Sequence, residues 1–304
     1  MEFFTPTIEH IEEIRNALKE NKKQSCEMSP ANTILWANHY NTQIAFVDGN
    51  LIYRSMRDNG ECLYSCNLLH TENPKQLFDQ VIELAKENGH PPVLYAVDEK
   101  EMSMIEAWYP GVYEVQYNRD YCDYIYLREK LATLSGKKLH GKRNHIHRFE
   151  EQNPDWTYET INDDNEEECS KMAMKWCINH CADAKESWEH DIIDESKLVV
   201  YAIRHRKELG LIGGALRAGG KIIALTLGER LTDDTFVVHF EKAYSDIQGA
   251  YPMINREFVR HELEGYTYVN REEDLGEEGL RKAKLSYYPE IILNKGIVTE
   301  KTTV

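Results

Sequence analysis

His239 and Glu241 stand two residues apart in the run Thr235-Phe236-Val237-Val238-His239-Phe240-Glu241-Lys242. Its β-branched and aromatic residues predict a strand, and strand alternation puts residues i and i+2 on one face. An imidazole and a carboxylate are therefore expected side by side, a pair able to orient or deprotonate an amine or hydroxyl nucleophile. The plainer reading of the same residues is a half-buried histidine satisfied by a neighbouring acid. The second chemical stretch is Asn270-Arg271-Glu272-Glu273-Asp274-Leu275-Gly276, which follows the apolar run Tyr266-Thr267-Tyr268-Val269. Asp274 and Glu277 stand in capping-box relation, so a helix is expected from about Leu275, with acids in its first turn and Arg281, Lys282 and Lys284 later. Glu277 to Arg281 and Glu278 to Lys282 are i,i+4 pairs worth about 0.2–0.5 kcal/mol each, which explains those charges without a substrate. Arg271 at the strand end is not explained that way; with Arg281 and Lys284 it is assigned to phosphate on a donor or acceptor, and Asn270 to substrate binding.

A third stretch carries charge. Lys130 to Arg148 holds six Lys/Arg residues and His140, His145 and His147, with no acid, and carboxylates crowd the following Glu150 to Glu168. In a chain of net charge −16, one reading is a solvated connecting helix that partners the acidic segment. The other is an anion site in which Lys137, Lys138, Lys142, Arg143 and Arg148 hold phosphates of a lipid or a nucleic acid. Cys177-Ile178-Asn179-His180-Cys181 offers three metal-ligand types, but no second ligand pair at zinc spacing accompanies it. Buried thiols are expected there and no metal. No Ser/His/Asp or Cys/His order stands out, so direct attack without a covalent enzyme intermediate is favoured.

Composition bounds the remainder. The charge of −16 excludes a general nucleic-acid-binding surface and spontaneous attraction to anionic membranes. No apolar run reaches the roughly 20 residues that span a bilayer. Met1-Glu2-Phe3-Phe4-Thr5-Pro6 lacks the basic start and apolar core of a signal peptide, and the 7 scattered cysteines suit a reducing compartment. A cytoplasmic protein is expected, and 304 residues make two domains the default.

The elements that must position these residues are predicted as follows. Residues 6–20 form an amphipathic helix through Ile8, Ile11, Ile14 and Leu18, and Asp48-Gly49-Asn50 joins two strands in a hairpin. A strand from Cys62, a helix from Pro74, a strand at 92–97, a helix at 99–108 and tyrosine-rich strand material to Leu127 complete a first layer. In the second half, 165–181 reads as a helix, 197–203, 209–217, 221–228 and 235–242 as strands, and 250–263 as a helix before the Asn270 stretch. The fold class is α/β (α+β), with residues 1–128 as one domain, 129–160 connecting, and 161–304 as a second domain that carries the site.

At this point the residues resemble a family. Glu129-Lys130-Leu131-Ala132-Thr133-Leu134-Ser135-Gly136-Lys137-Lys138-Leu139-His140-Gly141-Lys142-Arg143-Asn144-His145-Ile146 is similar to the central signature of the phosphatidylglycerol lysyltransferase C-terminal domain family. Glu241-Lys242-Ala243, Gln248-Gly249-Ala250-Tyr251, Ile254-Asn255 and the Asn270–Gly276 stretch extend the resemblance from about Ile34 to Lys295. It implies two tandem GNAT-like acyltransferase domains, related to the Fem-type aminoacyltransferases. It also implies aminoacyl transfer from aminoacyl-tRNA to a lipid head group or another amine or hydroxyl acceptor. Tyr251 and Asn255 would then hydrogen-bond the acyl carbonyl. Relatives carry this unit behind a membrane-embedded region, and none stands in these 304 residues, so the acceptor stays open. The alternatives are a CoA-dependent N-acyltransferase acting on a small substrate and a non-catalytic anion-binding tandem domain. GNAT enzymes hold acyl-CoA by a Gln/Arg-x-x-Gly-x-Gly/Ala loop at a helix start. Here the matching positions are Asp246, Gly249 and Tyr251, so acyl-CoA is disfavoured and no cofactor is expected.

Overall fold

The computed structural model describes residues 2–57, 59–181 and 186–301. Two mixed sheets organise the chain. The first contains β1 (Thr42–Val47), β2 (Asn50–Met56), β3 (Cys62–Cys66), β4 (Leu94–Asp98) and β5 (Tyr113–Tyr117). Helices α1 (Ile11–Leu18), α2 (Pro30–Leu35), α3 (Pro74–Glu87) and α4 (Glu99–Trp108) accompany it. The β1–β2 turn follows from its residues: Asp48 and Gly49 have φ of 48° and 78°, the conformation a two-residue hairpin requires. Helix α4 begins where predicted, because Asp98 accepts hydrogen bonds from the Lys100 and Glu101 backbone N–H groups in a complete capping box.

The second half contains β6 (Asp123–Leu127), α5 (Arg128–Thr133), α6 (His140–Gln152), β7 (Thr157–Thr160), α7 (Glu166–Cys181) and α8 (Glu186–Arg204). It continues with β8 (Ile212–Ala218), β9 (Lys221–Arg230), β10 (Thr235–Ala243), α9 (Ala250–Glu262), β11 (Tyr268–Asn270), α10 (Glu278–Leu285), β12 (Ile291–Leu293) and β13 (Lys295–Glu300). In each half an antiparallel meander (β1-β2-β3, then β8-β9-β10) is followed by a helix and a strand parallel to the last of the three. The architecture is two GNAT-like units in tandem.

The strands are exchanged between the two halves. Sheet orders are β1-β2-β3-β4-β13-β5 and β12-β6-β11-β10-β9-β8-β7. Thus β13, at the end of the chain, enters the first sheet between β4 and β5, and β6 enters the second between β11 and β12. The sheets do not divide at residue 128: β6 belongs with the later strands and β13 with the earlier ones. The hydrophobic core crosses the division too, since Ala31, Ile34 and Leu35 of α2 pack in one cluster with Leu225, Leu227, Val237 and Phe240 of the second sheet.

Three local expectations are corrected. Residues 197–203 are helical, within α8, although Val199, Val200 and Ile203 favour strands. Ser196, Val199, Ala202 and Ile203 are the buried ones, a helical spacing that tertiary packing selects over propensity. Strand β7, in the acidic segment, was not foreseen; Glu159 is held there by Arg217 of β8 at 2.5 Å. Helix α10 starts at Glu278 instead of Leu275, because Asp274 bonds Gly276 N at 2.9 Å and Leu275 has φ 51°.

The two exchanged strands meet at their first residues. Lys295 Nζ, at the head of β13, donates to Asp123 at the head of β6 at 2.8 Å, to Glu27 at 2.7 Å and to Glu273 at 2.6 Å. Cys26 Sγ lies 3.5 Å from the same ammonium. The Lys295 and Asp123 side chains are almost wholly buried. Burial works against the Lys295 charge, but the acids around it, Asp123 foremost, raise its pKa well above the usual lysine value. A buried carboxylate cluster that loses the ammonium bonded to it costs about 3–5 kcal/mol. Lys295→Met is therefore expected to lower the urea midpoint strongly at pH 7. A change below about 1 kcal/mol would show that the crossing is not a clamp.

Candidate active site

Strand β10 runs on to Ala243, past its last parallel pairing with β11, Val237 to Asn270. Beyond that point no strand covers this edge among the described residues, which leaves a notch in the sheet where Glu241 and Arg271 meet. Arg271 Nη2 donates to Glu241 Oε1 at 2.8 Å, and Asn255 Nδ2, from the second turn of α9, donates to Oε2 at 3.0 Å. The Arg271 guanidinium lies 5.0 Å from the Tyr287 ring centroid and 5.7 Å from that of Tyr126. Lys142, in the first turn of α6, places Nζ 3.9 Å over the Tyr287 ring. Burial first, and the Arg271 charge second, lower the Lys142 pKa to about 8.

Two polar atoms in this group are buried without a partner among the described residues, Arg271 Nη1 and Asn255 Oδ1. The Glu241 carboxylate settles the orientation of the Asn255 amide, because only the NH2 side can face an acceptor. A guanidinium N–H and an amide oxygen are therefore both left unpaired around one carboxylate. Buried polar groups are normally bonded, so the arrangement suits a ligand that brings an acceptor for the first and a donor for the second.

His239 is placed differently from its sequence expectation. A bulge in the β9–β10 register between Val238 and Phe240 breaks the alternation, so His239 and Glu241 do not share a face. Glu241 turns toward α9. His239 turns toward α2, with Nε2 3.1 Å from Glu229 and Nδ1 2.9 Å from Glu272. Glu229 also accepts the Ala31 backbone N–H at 2.8 Å, and Glu272 the Asn32 amide at 2.8 Å. Both ring nitrogens are engaged, and the side chain has no exposed surface. Burial opposes the charge, but the hydrogen bonds and charges of the two acids outweigh it and raise His239 to about 9. It is a buried imidazolium joining β10 to α2 and the Glu272 loop.

The other sequence candidates divide in the same way. Asn270 is buried and donates to Asp123 at 2.8 Å and to the Gln24 carbonyl at 2.7 Å. Arg281 pairs with Asp274 and Asp120 at 2.6 Å each, not with Glu277. Glu278–Lys282 does form, at 2.6 Å, between exposed side chains. Lys284 is buried and donates to the carbonyls of Arg271, at 2.6 Å, and Glu273; burial, then Arg271, lower its pKa to about 8. The Tyr251 hydroxyl accepts from Trp176 Nε1 at 3.1 Å. Arg143 donates to the carbonyls of Leu134 and Gly136, which secures a turn where Leu134 has φ 49°. Lys137, Lys138 and Arg148 are exposed. Tyr126 and Tyr287 were not anticipated as site walls; a strand tyrosine and a tyrosine past a helix end look like core until topology brings them together.

The comparisons with known proteins agree with this architecture. The family model described as phosphatidylglycerol lysyltransferase, C-terminal, matches residues 19–295. A crystal structure of a conserved protein of unknown function from Bacteroides thetaiotaomicron is 37% identical, covers 99% of this chain and 100% of its own, and superposes with a TM-score of 0.88. The C-terminal domain of a putative lysylphosphatidylglycerol synthetase from Agrobacterium fabrum gives a TM-score of 0.66 at 15% identity, over 96% of this chain and 92% of its own; that likeness is one of fold. An uncharacterised protein from Mycoplasmoides gallisepticum is 26% identical over 212 residues, 67% of this chain and 65% of that relative's length.

The His239 clamp has a defined pH signature. Its folded pKa of about 9 lies above the ordinary 6.5, so its stabilisation is fully present below pH 6.5 and is lost as pH rises through 9. The stability gap between the wild type and His239→Gln, measured by urea unfolding, is expected to reach roughly 3 kcal/mol near pH 6 and to shrink toward pH 9.5. A gap that does not change with pH would rule out the charged clamp.

Proposed function

Because this chain belongs to the phosphatidylglycerol lysyltransferase C-terminal family, we propose that it is an acyltransferase with its site among Glu241, Arg271, Asn255 and Lys142. In its finer form the reading is transfer of an aminoacyl group from aminoacyl-tRNA to a lipid head group or another amine or hydroxyl acceptor. The observation that carries it is the pair of buried, unpartnered atoms beside Glu241, Arg271 Nη1 and Asn255 Oδ1. An aminoacyl ester brings both complements: its carbonyl oxygen accepts from the guanidinium, and its α-ammonium donates to the amide oxygen.

The step follows from these roles. The acceptor's amine or hydroxyl attacks the ester carbonyl, and Arg271 Nη1 donates to the oxygen as it gains negative charge. The neutral amine of Lys142 takes the proton of the nucleophile and returns it to the departing ribose oxygen as the ester C–O bond breaks. Glu241 holds Arg271 and Asn255 in register. His239, through Glu272, acts as a positioning residue. A CoA thioester is supported less well, because its pyrophosphate would need the start of α9. There Gly249 packs so closely on the His145 carbonyl and on Phe149 of α6 that a Cβ would not fit.

The test is incubation with a mixture of charged tRNAs, membrane lipids and soluble acceptors, following the label from the amino acid. Arg271→Ala is expected to lose about 10²-fold or more in transfer rate, the scale of one oxyanion donor, while the fold, checked by Tm, is retained. Transfer by the wild type is expected to rise with pH and level off above about 8, where Lys142 is neutral, and the rise is expected to vanish in Lys142→Met. Micromolar binding of CoA thioesters together with full transfer by Arg271→Ala would overturn the reading.

A further inference from the structure

Tyr287 and Tyr288 are adjacent but opposite in environment. Tyr287 is buried and walls the site beside Arg271, whereas Tyr288, the next residue, is 45% exposed. Tyr288 has φ 56°, a left-handed conformation in which glycine would be unstrained and a bulky residue is a genuine outlier. Its N–H donates to the Leu285 carbonyl at 2.9 Å, which fixes the turn that presents the ring. Lys138 Nζ lies 5.1 Å from the ring centroid, and Lys137 beside it is exposed. The nearest acid in sequence, Glu290, is answered by Lys130 at 2.7 Å. An exposed ring with ammonium groups alongside is the pairing that holds single-stranded nucleic acid, the ring by stacking and the lysines by phosphate contact.

We infer that Tyr288 is the stacking platform for the 3′-terminal base of an RNA whose end enters the Arg271 site, with Lys138 and Lys137 on the adjoining phosphates. This rests on the aminoacyl-tRNA reading above and deepens it. In such a donor the ester sits on the terminal ribose, so the base of that same nucleotide must lie next to the acyl pocket. The platform is one residue from the pocket wall, about 3.8 Å between successive Cα atoms. Stacking is indifferent to base identity, and the end of the donor needs a seat for a base, not a readout of sequence.

The experiment uses the full chain and needs no transfer. A fluorescein-labelled single-stranded RNA ending in CCA, uncharged, is titrated by fluorescence polarisation, beside the same RNA with an abasic terminal nucleotide. Tyr288→Ala is expected to weaken binding of the intact RNA at least about fivefold, and Tyr288→Phe to keep it within about twofold. The abasic end is expected to weaken the wild type as much, but to add nothing to Tyr288→Ala. Equal binding by wild type and Tyr288→Ala, no binding by the wild type, or indifference to the abasic end would overturn the platform. Tyr288-dependent binding to phosphatidylglycerol vesicles in place of RNA would overturn it in favour of a lipid surface. Tyr288-dependent RNA binding by a protein that transfers no amino acid would keep the platform and remove the proposed reaction, whereas transfer unaffected by Tyr288→Ala would remove the platform alone.

Discussion

One ammonium holds the two halves of this chain together. Lys295 begins the last strand, which lies in the first sheet, and Asp123 begins the strand that the first half of the chain sends into the second sheet. Their ion pair at 2.8 Å lies where the two exchanged strands depart in opposite directions. Glu27 and Glu273 close on the same ammonium, so the N-terminal segment and the β11–α10 loop are tied to that point as well. A buried charge is tolerated only when fully answered. Here the ammonium is matched by several acids at once, and the demand that they converge fixes the relation of the sheets.

From that crossing the constraint runs along five consecutive residues. Asn270 bonds Asp123, Arg271 bonds Glu241, Glu272 bonds His239 and Asn32, Glu273 bonds Lys295, and Asp274 bonds Arg281. Glu272, at φ 56°, turns its side chain to His239, and Lys284 closes on the carbonyls to either side of it. The loop is thus a distribution strip. Its first and fourth residues face the strand crossing, its third joins β10 to α2, and its second points into the notch. Arg271 can stand with one nitrogen unpartnered because its neighbours on both sides are held.

Much of this was legible in the sequence and some was not, for identifiable reasons. The hairpin at Asp48-Gly49, the helices from Pro74 and Glu99 and the α9 segment followed from local turn chemistry and periodicity. The strand exchange did not, because a strand's own residues do not record which sheet it joins. Helix α8 was hidden by a β-branched run whose spacing matters only once its neighbours are known. The pairing of His239 and Glu241 failed at a bulge, which a single inserted residue creates without a marker such as glycine. Arg271 was legible as a charge left where an apolar strand ends. Its walls, Tyr126 and Tyr287, were not, since they come from the exchanged strand and the end of the helix after the loop.

The distribution of cations sharpens what the notch can do. In a chain of net charge −16, an uncommitted positive group near a pocket is informative, because acids are available almost everywhere to neutralise it. Arg281, Lys284 and Arg143 all look in sequence like candidates to hold phosphate, yet each donates to protein carboxylates or carbonyls. Their positions are set by folding, not by a ligand. Arg271 differs by keeping Nη1 unpartnered, and Lys142 by facing an aromatic ring instead of an acid. These two line the notch from opposite elements, a strand end and a helix start, and Glu241 answers only one of them through a hydrogen bond. The remaining positive character, enclosed by tyrosine rings where water screens it poorly, is directed at an oxygen that a substrate must bring.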